Sequence, residues 1–176
     1  MGYCNQTLAG IPLDCSHSLG GIKAVYIANY ADVDGFTYEN DAMGKIKGLV
    51  MKDNATFKPY RFRKQTGSMT STLTVDETAG VNYVTTELSL VFGKMETTKR
   101  LEIAALSKGQ LAVIVEDSNG IFWYLGEDDY VSASSGTAST GQNKGDSNSY
   151  TIVLKDESTS FPKEIEKSGV LSVVED

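Results

Sequence analysis

His17 is the sole histidine in a chain of 176 residues, and that scarcity removes most routes to acyl transfer or hydrolysis. A Ser or Cys nucleophile needs a neighbouring base to take its proton, and histidine fills that role most often. His17 falls in an irregular N-terminal stretch, a poor place to hold a fixed geometry. Cys4 and Cys15 are the only cysteines. Their spacing matches no zinc pattern, and His17 cannot complete a four-ligand set, so no metal is expected. A disulfide between them would close a short loop. Synthesis in a reducing cytoplasm favours two free thiols instead. The 23 acidic residues make some carboxylate pair inevitable, and none is singled out by spacing as an acid–base couple.

Two loops imitate ligand sites and fail on their defining residues. Gly136-Thr137-Ala138-Ser139-Thr140-Gly141 has the outer spacing of a phosphate-binding loop. Gln142 and Asn143 stand where Lys and Ser or Thr are needed to reach phosphate and Mg²⁺. Asp32-Val33-Asp34-Gly35 opens like a calcium loop, but its glycine comes too early and no bidentate Glu follows at the right distance. Glu127-Asp128-Asp129 reads as the solvated acidic end of a hairpin. The chain is therefore expected to be no enzyme, with no cofactor and no catalytic residues.

The segment Lys58-Pro59-Tyr60-Arg61-Phe62-Arg63-Lys64 interleaves cations with aromatics. That pattern grips single-stranded nucleic acid in some proteins. The net charge of −7 argues against it here, because a surface of that sign repels phosphates and anionic membranes alike. Two other readings stay open. Pro59 and the charges could guard an edge strand, or Phe57, Tyr60, Phe62 and Arg63 could form a subunit contact, since Tyr, Phe and Arg are enriched in interface cores. No apolar run approaches the roughly 20 residues that span a bilayer. Met1-Gly2-Tyr3-Cys4-Asn5-Gln6 lacks the basic start and apolar stretch of a signal peptide. Its Gln6 replaces the Ser or Thr of a myristoylation site, and the Glu175-Asp176 end carries no prenylation box.

The surrounding elements are mostly strands. Residues 1–20 read as an arm without periodicity, and 21–176 as one β-sandwich domain. Ile22–Asn29 is apolar on both faces, as a buried strand requires. Further strands are expected at 45–52, 57–64, around Met69 to Val75, from Tyr83 to Phe92, at 150–154 and at 170–174. Residues 31–44 and the Ser/Gly-rich 131–149 read as loops, the second mobile or ordered by a partner. A helix is expected over about 96–108, with Thr97 as cap, Gly109 as stop, and Leu101, Ala104 and Ala105 at helical spacing. Asn119-Gly120 between Leu111–Asp117 and Ile121–Leu125 is the strongest hairpin signal in the chain and should sit centrally, with Trp123 in the core. The fold class is mainly β with one short helix, a sandwich or barrel.

Three stretches, GGIKAVYIANYADV (20–33), RLEIAALSKGQLAVIVEDSNGIFWYLG (100–126) and GDSNSYTIVLKDE (145–157), together resemble structural proteins of tailed bacteriophages, in particular phages of Bacteroides-type hosts. The order of strands, helix, Asn-Gly hairpin, Gly/Ser loop and strand is similar to the phage tail-tube fold. The resemblance implies a β-sandwich with one flanking helix and self-assembly into rings, hexameric or larger, around a DNA channel. It also implies a place in the tail or neck of a virion, beside other tail or neck proteins, and no active residues. An acidic lumen lets the polymer slide without binding. The arm, the 53–80 region and the 131–149 loop are the segments expected to reach neighbours. A non-catalytic β-sandwich that recognises glycans or surfaces is the competing reading.

Overall fold

The structure is a computed structural model that describes residues 7–40 and 44–175. It is mainly β, with two sheets. The strands are β1 (Ile22–Asn29), β2 (Val33–Tyr38), β3 (Ile46–Met51), β4 (Lys58–Tyr60), β5 (Ser68–Asp76), β6 (Val81–Gly93), β7 (Leu111–Asp117), β8 (Phe122–Leu125), β9 (Ser132–Ser139), β10 (Ser149–Ser158) and β11 (Lys163–Ile165). Helix α1 (Thr97–Lys108) precedes β7, and a short helix α2 (Lys167–Leu171) follows β11. The first sheet has the order β2-β3-β11-β8-β7-β1-β4, and the second has β5-β6-β10-β9.

Strand β7 explains the layering. Its side chains alternate between faces, and both faces are covered. Val113 and Val115 join Val25, Ile27 and Leu125 against Leu88, Leu90, Ile152 and Leu154 of the second sheet, with Leu106 of α1 closing the side. Ala112 and Ile114 face the other way, toward Ile46, Phe57, Phe122, Tyr124, Ile165, Val170 and Val173. The near-continuous apolar run of LAVIVED is what such a two-sided burial demands. In the second sheet only one face is buried, so β6 alternates: Val84, Thr86, Leu88, Leu90 and Phe92 point inward. Thr86 is tolerated there because its hydroxyl pairs with Ser71 Oγ at 2.8 Å.

The Asn-Gly hairpin is central, as expected, with β7 and β8 adjacent in the first sheet. Gly120 supplies the positive φ of +80° that the turn needs. The Asp117 carboxylate organises it, accepting from the Asn119 and Ile121 amides at 2.8 and 3.0 Å and from the Trp123 indole at 3.1 Å. The Asn119 side chain in turn holds Leu19, accepting from its amide and donating to its carbonyl.

Six sequence expectations change. Residues 33–38, read as loop, form β2, an edge strand whose pairing to β3 and edge-on packing of Phe36 on Tyr124 supply what its Gly and Asp content does not. Residues 132–139, read as a mobile loop, form β9 through a ladder to β10, leaving only 140–148 as loop. The expected strand at 57–64 shrinks to β4, three residues long. The expected strand at 170–174 is replaced by the end of α2, which buries Val170, and a turn, and Val174 keeps only a single bridge to Phe57. Helix α1 turns Ile103 and Leu106 inward with Lys99, whereas Leu101, Ala104 and Ala105 lie exposed. The expected cap also moves, since Glu96 occupies the cap position and Thr97 begins the helix.

Gly169 marks the tightest crossing. A Cβ there would stand 2.5 Å from the Lys47 carbonyl oxygen and 3.0 Å from Gly48 Cα, both backbone atoms that cannot swing aside. Gly169→Ala should therefore cost about 1–3 kcal/mol in denaturant unfolding. Gly145→Ala, with open space around its Cβ, should change stability by less than about 0.5 kcal/mol.

Candidate assembly surface

Among the described residues, no grouping of three or more His, Cys, Asp or Glu could hold a metal ion. Cys15 is an exposed free thiol, and Cys4 lies outside the described residues. No helix among the described residues is long and apolar enough to cross a membrane.

The four candidate contact residues are not brought together on one surface. Phe57 is 0% exposed, locked in the second core, with its backbone tied to Val173 and Glu175. It offers nothing to a neighbour, which corrects its reading as a contact. Tyr60 and Phe62 are half-buried against the first core. The Tyr60 hydroxyl donates to Glu102 of α1, and burial followed by that carboxylate pushes its pKa upward. Arg63 alone is exposed, its guanidinium lying across Gly93. Trp123 is half-buried, with its N–H committed to Asp117, so its ring is no free platform for a sugar.

The unfinished part of the molecule is the second sheet. A sheet edge exposes a row of unpaired N–H and C=O groups, and proteins that must stay single guard it with Lys, Pro, bulges or short strands. The first sheet is guarded in this way. Edge strand β4 spans three residues, begins Lys58-Pro59, and lies beside the Lys58–Glu175 ion pair. Edge strand β2 is broken by register shifts at both ends. The second sheet has less protection: its edge strands are long, and only β9 carries a register shift, one, at Val153/Leu154 of its partner β10. Edge strand β5 runs nine residues as SMTSTLTVD in unbroken register with β6. The opposite edge, β9, runs eight residues as SASSGTAS and pairs only with β10. Neither contains Lys, Arg or Pro.

The last three pairs of the β5–β6 hairpin, Thr74–Tyr83, Val75–Asn82 and Asp76–Val81, project past the end of β10, whose last pair is Ser158 with Val84. Leu73, opposite Val84 at the last covered pair, and Val75 beyond it continue the inward face of β5 and are 47% and 58% exposed, and Val81 and Tyr83 on the outward face are also open. A two-stranded ribbon with an uncovered apolar face is marginal in water by itself. The N-terminal arm behaves similarly: Leu8, Ile11 and Leu13 are each more than 90% exposed. The outward face of the second sheet is mainly hydroxyls, from Thr70, Thr72, Thr74, Thr85, Ser89, Ser135, Thr137 and Thr151. Its charged positions are Asp76, Glu87, Lys155 and Glu157.

No protein-family model matches the chain, and no curated protein or solved structure matches it. The reading of this surface therefore rests on its geometry.

Sequence reasoning missed β9 because small hydroxyl residues read as loop. The absence of Lys and Pro from Ser132 to Ser139 was the available signal. It also gave no prominence to Asp156, which β10 buries at the end of the first core. Burial first, against the lowering by the Gly126 amide, and then the charges of Asp128, Asp129 and Glu157 raise its pKa to about 6. Its Oδ1 and the Tyr124 hydroxyl are buried without hydrogen-bond partners among the described residues. The folded state resists ionising Asp156, and the unfolded chain does not. The chain therefore loses stability as pH rises from near 4 through about 6, and regains it on acidification. Asp156→Asn should stabilise the fold by about 2 kcal/mol at pH 8 and by nearly nothing at pH 3.5, measured by urea unfolding at both values.

Proposed function

We propose that this chain is a structural virion protein of a tailed bacteriophage, a subunit of a tail tube or of a tail or neck ring around the DNA channel. The observation that carries the reading is the pair of long edges, free of Lys, Arg and Pro, on opposite sides of one sheet. A surface patch that pairs with a different patch on the next copy gives a heterologous contact, which closes into a ring when the rotation fits.

Strand direction supports such closure. In the antiparallel second sheet, β5 and β10 run one way and β6 and β9 the other. Joining β5 of one copy to β9 of the next preserves the alternation, so every copy adds four strands to one continuous barrel. Six copies would give about 24 strands, more than the 16–18 that leave a water-filled channel in porins. The hydroxyl-rich outward face would then line the lumen. Three of its four charged positions are acidic, a wall that repels phosphate and lets DNA slide. Closure also removes both edges, and a neighbour can cover Leu73 and Val75. The exposed arm would reach the other tail or neck proteins that such a ring must join.

The purified chain should form rings with a central hole in negative-stain images and sediment as one large species. Leu73→Lys with Val75→Lys should keep the circular dichroism of the folded chain and weaken ring formation at least about tenfold, since a buried unpaired lysine in the contact costs more than about 1.4 kcal/mol. A wild-type chain that stays monomeric at high concentration and virion-like salt overturns the self-assembly reading.

A further inference from the structure

The Asn119-Gly120 turn is tied to the base of the N-terminal arm by four hydrogen bonds. Asn119 Oδ1 accepts from the Leu19 amide at 2.8 Å, and its Nδ2 donates to the Leu19 carbonyl at 3.1 Å. Ser118 adds its own amide and its hydroxyl, each donating to the Gly21 carbonyl at 3.0 Å. Residues 7–18 before this clasp are exposed throughout, so the clasp is where the arm is fastened.

The same turn has a reaction open to it that needs only water. Asparagine is chemically labile, because the backbone nitrogen that follows it can attack its side-chain carbonyl carbon. Glycine, with no Cβ, lets that nitrogen approach with the least hindrance. The Gly120 nitrogen bonds to Asn119 Cγ as the Cγ–Nδ2 bond breaks. Nδ2 leaves as ammonia, taking the Gly120 amide proton, and a succinimide ring remains. Water then opens the ring at either carbonyl, which gives aspartate or isoaspartate at this position. Nothing crowds the turn: a Cβ on Gly120 would meet no described atom within 4 Å, and Asn119 is exposed to solvent.

The folded geometry holds this reaction back. The Gly120 amide donates to the Asp117 carbonyl at 3.1 Å, the bond that closes the turn, which keeps its proton in place. Leu19 holds both polar atoms of the Asn119 carboxamide, so turning Cγ onto the Gly120 nitrogen requires the clasp to open. The product then keeps it open. Either acid lacks the Nδ2 donor and sets carboxylate oxygens against the Leu19 carbonyl, acceptor facing acceptor. Isoaspartate also adds a methylene to the main chain of the turn.

We propose that Asn119 is a site of spontaneous deamidation, gated by the Leu19 clasp, whose product releases the N-terminal arm. The release runs one way, since ammonia is lost to solvent. It frees the base of an arm that carries the exposed Leu8, Ile11 and Leu13. The clasp lies within one chain, so the proposal does not rest on how copies associate.

Peptide mass mapping of the full chain, incubated in mildly alkaline buffer, tests the gate. Leu19→Pro removes the amide that holds Asn119 Oδ1 and disturbs no core, since Leu19 is 64% exposed. Deamidation at Asn119 should run about fivefold faster in this variant than in the wild type, the worth of one net hydrogen bond. It should be fastest in the wild-type chain unfolded in guanidinium. Asn119→Asp carries the side chain of the product. It should speed chymotrypsin cleavage after Leu19 by about fivefold and leave cleavage after Leu8 unchanged. Equal rates in the wild type and a folded Leu19→Pro overturn the clasp as the gate. Equal rates in the folded and unfolded wild-type chain do the same even if that variant fails to fold. No deamidation at Asn119 in the unfolded chain overturns the site, and unchanged cleavage after Leu19 in Asn119→Asp overturns the release.

Discussion

Every layer of this protein is referred to β7, the strand buried on both faces. One face anchors the sandwich core with Leu88, Leu90, Ile152 and Leu154, and the other anchors the core under α2 with Ile46, Phe57 and Tyr124. A strand in that position has no solvent side, so its backbone must be fully paired, and β1 and β8 supply those bonds. The Asp117 carboxylate matters because it sets the turn that brings β8 back. Its three hydrogen bonds hold the Asn119-Gly120 reversal and the Trp123 indole together.

Burial at the centre contrasts with openness at one sheet's margins. The first sheet ends in short, bulged or proline-bearing strands, whereas the second ends in β5 and β9, long and without charged side chains over most of their length. Main-chain groups at an open edge are solvated in the single chain, so the edge is stable there and equally ready to pair. The same sheet carries the projecting ribbon with Leu73 and Val75 uncovered. In the proposed ring, edge pairing between copies would satisfy these features together.

Electrostatics works against the fold at one place. Asp156 is buried within reach of the charges of Asp128, Asp129 and Glu157, and its raised pKa costs stability near neutrality. A buried carboxylate retained at such a cost is best understood with its surroundings: the Gly126 amide fixes it where β10 passes the 126–131 turn that carries Asp128 and Asp129.

The sequence by itself determined what local pattern controls. The two-faced apolar runs of β1 and β7, the alternation of β6 and the Asn119-Gly120 turn all follow from side-chain period and turn chemistry within a few residues. So did the absence of nucleophile–base, zinc, phosphate-loop and calcium-loop patterns. Tertiary structure alone decided the rest. The β2 and β9 strands exist because partners β3 and β10 hold segments whose own composition favours loops. The face of α1 was set by which side the core could receive, so Leu106 is buried and Leu101 is left outside. Phe57 moved from candidate contact to core because the C-terminal segment folds back over it. Edge exposure, the covering of a ribbon and the clasp at the arm's base depend on residues far apart in the chain, and no local window contains them.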